Sequence, residues 1–468
     1  MSERPVRFGT SGWRGVLGED FTFERARALA AAVGRHAVAG SAAPRILVTH
    51  DTRFQADHVA QAAAEVLAGV GVRPAIAEGP TPTPVATHAV RRRGFAAGFL
   101  VTASHNPPEY LGVKVVAPCG GSVDSNVARA LEKACARQLA AGPPPRGAVP
   151  NRKLRPADAY LRDLARRLDV DRLERTRFPI CYDAIHGTGA GVLDRLLRDL
   201  GARVEVLRAA ADPRFGGCAP DPSPERLGAL GRRVASLGGR AVGLATDGDA
   251  DRLGVVDRKG RLSETQVVAL LVDHLARTRR LAAGVAISVA TGSLVERVAA
   301  DAGLDVVRCP IGFKPLTEAL ASGRASLAGE ESGGFAWAPF SHDKDGILAG
   351  ALIAEVASSH RHGLRGRLEQ LEKRHGRSAC GRSAVVRRPG HLEGLRRLEE
   401  APPSRFDRSP VRAEKTPGGI VLHLSDGFAL LRTSGTEPLV RLYAEAPDPR
   451  KLAARLTAAA ALLTRASR

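Results

Sequence analysis

The chain has 468 residues, 44% of them hydrophobic, and its 69 Lys and Arg against 49 Asp and Glu give a net charge of +20. That length allows about three or four domains, and no apolar run reaches the ~20 residues needed to cross a bilayer. The positive balance does not read as a nucleic-acid surface. Only nine of the 69 cations are Lys, they are spread along the chain, and clusters such as Arg91-Arg92-Arg93 have no interleaved aromatics for base stacking. Attraction to phosphorylated small molecules is the expected use of the charge. The six cysteines lie far apart without a CxxC pair, and Met1-Ser2-Glu3-Arg4-Pro5 has no secretory pattern, so reduced thiols and a cytoplasmic location are expected.

In chain order, a first α/β unit is expected over 1–150. It has strands at 45–50 and 72–77, a helix over 54–69, and a stiff loop carrying Pro80, Pro82 and Pro84. A buried strand then runs into Ser104, another spans 112–116, a helix covers 124–141, and Gly142-Pro143-Pro144-Pro145 is a linker. A second unit over 151–257 has strands at 179–183, 203–207 and 241–246. A third over 258–376 ends in one long amphipathic stretch at 346–373. Strands separated by helices argue for mostly parallel sheets in these three. The last unit, 377–468, differs: strands at 419–424, 429–432 and 439–445 with a terminal Ala-rich helix make a smaller α+β domain. The expected fold is therefore α/β, three related domains of mixed sheet plus a C-terminal α+β domain.

Five loops carry candidate chemistry. Thr102-Ala103-Ser104-His105-Asn106-Pro107-Pro108 follows a strand, where open α/β sheets place ligands, although a polar turn would read alike. Asp247-Gly248-Asp249-Ala250-Asp251-Arg252 brings carboxylates together at alternate positions, an oxygen-only donor set that suits Mg²⁺. Arg252 stands beside them to pair with a phosphate. Gly329-Glu330-Glu331-Ser332-Gly333-Gly334 offers acceptors for sugar hydroxyls, or an ordinary turn. Arg432-Thr433-Ser434-Gly435-Thr436-Glu437-Pro438, with Arg441 nearby, can cradle a phosphate with amides, hydroxyls and a guanidinium, or close a hairpin. Gly9-Thr10-Ser11-Gly12-Trp13-Arg14-Gly15 adds one more small-residue loop with an arginine.

Taken in order, these loops resemble those of the α-D-phosphohexomutases, the phosphoglucomutase/phosphomannomutase superfamily, over nearly the whole chain. The resemblance implies four domains around a central cleft, each giving one loop. It implies that Ser104 carries a phosphoryl group, exchanged with a hexose phosphate through a bound hexose 1,6-bisphosphate. Ser104, Asp247, Asp249 and Asp251 would hold Mg²⁺. Arg14, His105, Lys114 and Arg252 would surround the transferring group, with Lys114 as proton mover because neighbouring cations draw its pKa toward neutrality. Thr10, Ser11, Lys314, Glu330, Ser332, Arg432, Ser434, Gly435, Thr436 and Arg441 would bind substrate.

The Gly-Glu-Glu-Ser-Gly-Gly loop, Gly312-Phe313-Lys314 and Lys344-Asp345-Gly346 resemble phosphoglucomutases more than mannomutases, so glucose phosphates are the expected substrate, with mannose or mixed specificity as the alternative. A non-catalytic binder of sugar phosphate or RNA is the rival of another class, and would need a broken Ser104 or Asp loop. No nucleic-acid or membrane partner is expected, and the protein is expected to be a monomer or homodimer.

Overall fold

The computed structural model describes residues 5–9, 12–151, 153–174, 178–279, 281–434 and 438–467. Its first sheet contains β1 (Trp13–Val16), β2 (Arg45–His50), β3 (Arg73–Ile76), β4 (Ala97–Val101) and β5 (Tyr110–Val116), in the order β1-β5-β4-β2-β3. The second contains β6 (Pro179–Asp183), β7 (Arg203–Leu207), β8 (Val242–Thr246), β9 (Leu253–Asp257) and β10 (Gly260–Arg261), in the order β10-β9-β8-β6-β7. The third contains β11 (Gly284–Ser288), β12 (Val306–Cys309), β13 (Ala325–Gly329) and β14 (Phe335–Trp337), in the order β12-β11-β13-β14.

These three sheets share one topology without a sequence repeat. In each, the first parallel strand pairs on both sides with parallel neighbours, and the last of the three is followed by an antiparallel strand. The sheets are mixed, as the expected fold has them, because β5, β9 and β14 return antiparallel beside the strand they follow instead of crossing over a helix. That return creates one loop per sheet at the same place. Residues 102–109 link β4 to β5, 247–252 link β8 to β9, and 330–334 link β13 to β14.

The fourth sheet is wholly antiparallel. It contains β15 (Ala379–Val386), β18 (Arg412–Thr416), β19 (Gly419–Leu424), β20 (Gly427–Thr433) and β21 (Leu439–Ala446), and a separate hairpin of two short strands, β16 (Arg405–Phe406) and β17 (Ser409–Pro410), lies between β15 and β18 in the chain. One apolar core runs continuously through the second and third domains, whereas the first and fourth have cores of their own.

Two segments differ from expectation. The Pro80–Pro84 stretch is not loop throughout: a helix spans Thr83–Arg92 with Pro82 as its cap and Pro84 in its first turn, where a missing amide costs nothing. The stretch at 346–373 is two helices, Gly346–Ser358 and Gly363–His375. The first is buried from Gly346 to Ala357 rather than amphipathic, because it threads the shared core. No helix of the described residues is long and apolar enough to cross a membrane.

Candidate active site

Ser104 sits at the mouth of β4 with φ of 53° and is fully buried, so its loop is an interdomain contact rather than a free turn. Its amide donates to Thr102 Oγ1 at 2.9 Å, and its Oγ donates to Asp247 Oδ2 of the second domain at 2.9 Å. His105 Nδ1 lies 3.4 Å from the same Oγ. Gly248 packs against this loop so closely that a Cβ there would stand 2.7 Å from Ser104 O, which explains glycine between the aspartates.

Arg53 holds the serine loop in shape. Its guanidinium donates to the carbonyls of Ser104, Asn106, Pro107 and Tyr110 at 2.6–2.9 Å and pairs with Asp51 at 3.2 Å. Asp51 also accepts from Thr102 Oγ1 at 2.6 Å. Arg53 was absent from the sequence-based set. Its only signal is an Asp-Thr-Arg at the C-terminal end of β2, the sheet end that bears Ser104.

Asp247, Asp249 and Asp251 bring carboxylate oxygens within 4.8 Å of one another, all buried. Lys114 Nζ donates to Asp249 at 2.5 Å and to Asp251 at 2.7 Å, Lys344 Nζ lies 3.1 Å from Asp251, and Thr83 Oγ1 donates to Asp249. The remaining oxygens, Oδ1 of Asp249 and Oδ1 of Asp251, are buried without a hydrogen-bond partner among the described residues. Two orphaned carboxylate oxygens in an oxygen-only pocket fit a hard divalent cation.

The electrostatics follow from this crowding. Burial, with the charges of Asp251 and Asp249, pushes the Asp247 carboxyl well up. Burial disfavours the charged forms of Asp249 and Asp251, as does Asp251 at Asp249, but Lys114, joined by Thr83 at Asp249 and by Lys344 and Arg252 at Asp251, more than offsets this, and both are held low. Burial, reinforced by Arg252 and Arg14, keeps His105 well below its usual value and therefore neutral. Lys114 corrects an expectation. Burial lowers its pKa, but Asp249 and Asp251 outweigh both burial and Arg14, so it is raised rather than drawn toward neutrality.

The other proposed groups converge from several elements. Arg14, on β1, donates to Asn106 Oδ1 at 2.6 Å. Arg252 pairs with Asp221 at 3.4 Å, and its amide donates to Asp247 Oδ1 at 3.1 Å. Ser332 Oγ donates to the buried Glu330, whose loop is stitched to the aspartate loop by Leu253 N to Gly333 O at 3.1 Å. Burial and the charge of Glu330 push Glu331 up to about 7, with Ser288 Oγ donating to it. Lys314 lines a cavity of about 370 Å³ with Arg129 and Gly9, and a narrower one with Lys114, Thr83 and Asp343.

Arg432 and Arg441 are directly opposite on β20 and β21. Arg432 Nε donates to Thr433 O at 3.1 Å, and Ser434 N donates to Leu439 O at 2.9 Å. Both arginines lie two positions from the paired Leu430 and Tyr443, on the sheet face that packs against Val289 and Ala290 of the third domain. Thr10, Ser11, Gly435 and Thr436 lie outside the described residues.

Comparison with known proteins agrees with this arrangement domain by domain. The chain matches the family described as phosphoglucomutase/phosphomannomutase: alpha/beta/alpha domain I over 5–141, domain II over 158–260, domain III over 263–375 and the C-terminal domain over 395–463. It is 29% identical over 452 residues to a phosphoglucomutase/phosphomannomutase of Thermococcus kodakarensis, covering 95% of each chain. It is 33% identical over 459 residues to a phosphoglucosamine mutase of Frankia alni, covering 94% of each. Among solved structures, a putative phosphomannomutase from Thermus thermophilus superposes with a TM-score of 0.86 at 32% identity, covering 99% of this chain and all of the other.

Proposed function

Because the chain belongs to the phosphoglucomutase/phosphomannomutase family, whose members are intramolecular phosphotransferases, we propose that it interconverts hexose 1-phosphate and hexose 6-phosphate through a phosphoserine at Ser104. The observation that carries this is the buried contact of Ser104 Oγ with Asp247, beside two aspartates whose spare oxygens have no partner among the described residues.

In the proposed cycle a phosphoryl group on Ser104 Oγ passes to the free hydroxyl of a bound hexose phosphate. The P–Oγ bond breaks, a new P–O bond forms on the sugar, and the proton the sugar hydroxyl loses takes the place of the phosphoryl group on Ser104 Oγ. The bisphosphate turns over in the cleft, and Ser104 accepts the other phosphoryl group. Mg²⁺ held by Asp247, Asp249, Asp251 and a phosphoserine oxygen would supply positive charge against the transferring group. Arg14 and Arg252 flank that group as bidentate cations. Neutral His105 orients the serine oxygen. Lys114, kept protonated by its carboxylates, suits the acid that returns a proton to an oxygen as its bond to phosphorus breaks.

Glu330 and Ser332 would accept and donate to ring hydroxyls, while Arg432, Ser434, Gly435, Thr436 and Arg441 hold the phosphate at rest. A sugar that must reverse needs this separation between transferring and anchoring sites. Glucose is the proposed hexose, on Glu331, Lys314 and Lys344 as they stand in their motifs. Mannose and glucosamine phosphates are the alternatives that the named relatives favour.

The deciding experiment is a coupled assay of the purified protein on glucose, mannose and glucosamine 1-phosphates, with Mg²⁺ and catalytic hexose 1,6-bisphosphate. Turnover is expected on all or some of them, fastest on glucose 1-phosphate, and lost on chelation. No turnover of any, by protein demonstrably phosphorylated on Ser104, overturns the reading.

A further inference from the structure

One cation of the fourth domain reaches across the cleft. Arg382 stands on β15, opposite Tyr443 of β21, and its Nη2 lies 3.7 Å from Asp221 Oδ2. The other oxygen of that carboxylate lies 3.4 Å from Nη1 of Arg252. Among the described residues no other ion pair joins the fourth domain to the second. Asp221 is well fixed for such sharing. It lies between Pro220 and Pro222, and Gly248 N of the aspartate loop donates to Pro220 O at 3.1 Å.

Both contacts are longer than the ~2.8 Å of a tight guanidinium–carboxylate bond. Neither arginine is at closest approach and each holds a different oxygen, so a small rotation of the fourth domain that brings Arg382 onto both oxygens would displace Arg252. Arg382 is also the less enclosed partner, with its side chain 40% exposed against 11% for Arg252. It can therefore move with its domain, whereas Arg252 is confined beside the aspartates.

We propose that Arg382 is a positioning residue that docks the fourth domain on Asp221 and thereby frees Arg252 for phosphate. As the fourth domain settles over the ligand, Arg382 takes Asp221 with both nitrogens and Arg252 turns from Asp221 to the transferring group. The domain that anchors the resting phosphate so reports its presence to an arginine at the reacting one. The kinetic half of the proposal rests on the mutase reading; the docking half does not.

The test uses the full-length protein with Arg382→Ala, Arg382→Lys, Asp221→Asn and the double variant Arg382→Ala/Asp221→Asn. Partly exposed ion pairs contribute modestly, so Arg382→Ala is expected to raise KM for the active hexose phosphate about three- to tenfold with a smaller change in kcat. Arg382→Lys should recover part of this, and the double variant should match Asp221→Asn in KM rather than multiply the two effects. Small-angle scattering without substrate should show a larger radius of gyration for Arg382→Ala and Asp221→Asn. Wild-type protein should expand similarly in ~1 M NaCl, where the pair is screened. Wild-type KM together with wild-type scattering for Arg382→Ala, or multiplicative effects in the double variant, overturns the proposal while leaving the mutase reading intact. Should the hexose panel show no turnover, scattering alone decides: expansion upholds the docking, and its absence overturns it.

Discussion

Ser104 joins two demands that seldom coincide at one residue, a left-handed backbone and a hydroxyl placed against a buried carboxylate. Ala tolerates that backbone about as well as Ser, so Ser104→Ala removes the oxygen and little else. The variant is expected to lose turnover by ~10³-fold or more, and unfolding in urea should shift by about 1–3 kcal/mol because the buried Asp247 Oδ2 loses its donor. Wild-type turnover would overturn the assignment of the phosphoryl carrier. Arg53 is the opposite case, invisible in the cleft yet necessary to its shape. Arg53→Met would strip four carbonyls of their donor and leave Asp51 buried without its cation. A loss of about 3–5 kcal/mol is expected in the transition that reports the first domain, together with reduced turnover, read by denaturant unfolding beside the coupled assay. Contiguous groups such as the aspartate loop were legible from sequence because three carboxylates within five positions must meet. Arg53, Asp221 and Arg382 were not, since each is a single charged residue whose partners arrive only through tertiary structure. Lys114 was legible as a residue but not in its charge state, which depends on two aspartates 135 and 137 positions away.

At the scale of elements, strands with strong apolar runs were read within a residue or so, as at Pro179–Asp183 and Arg203–Leu207. The helix Gly346–Ser358 misleads because in sequence it reads as one stretch with the charged Gly363–His375; taken alone its apolar residues leave no polar face, which suits its place in the core. Its cap offers a measurable consequence. Asp345 accepts from Leu348 N at 2.8 Å and from the buried Tyr160 hydroxyl at 2.8 Å, and burial pushes its carboxyl up to about 7. Between about pH 4 and 7 the folded protein then holds a proton that the unfolded chain has released, so stability falls as pH rises through that window. A shift of roughly three units corresponds to on the order of 4 kcal/mol over the whole window. Asp345→Asn keeps an acceptor for the cap and for Tyr160 but cannot titrate. Its stability should therefore lack this component, and the difference between wild type and variant should shrink or reverse with rising pH across the window. Parallel pH profiles from denaturant unfolding would show that Asp345 ionises normally in the folded protein.

At the scale of the molecule, three sheets of one topology present their return loops to a common cleft, while the fourth domain attaches by a small seam. The seam is apolar where Val289 and Ala290 meet Val421, Phe428, Leu430 and Tyr443. Its polar part is Glu445, 3% exposed on β21. This carboxylate accepts from Ser293 N at 3.0 Å and Ser293 Oγ at 2.7 Å across the domain boundary, and from Ser378 Oγ at 2.5 Å where the chain enters the fourth domain. A single side chain thus ties both sides of the joint, close to where any rotation of the fourth domain must pivot. Glu445→Ala would leave an amide and two hydroxyls buried without their acceptor, a penalty of about 1–3 kcal/mol for each that water cannot reach. The first and second domains, with their separate contacts around Ser104 and the aspartates, should be unaffected. Loosening is therefore expected to be local: faster amide exchange around 289–293 and 376–380, a higher KM for hexose phosphate, and a smaller change in the rate of phosphoryl transfer at saturation. Glu445→Gln, which keeps one acceptor oxygen, should lie between. Equal exchange in all three proteins would mean that the apolar seam alone carries the joint, whereas accelerated exchange spread through the first domain would mean that Glu445 supports the whole fold rather than its pivot.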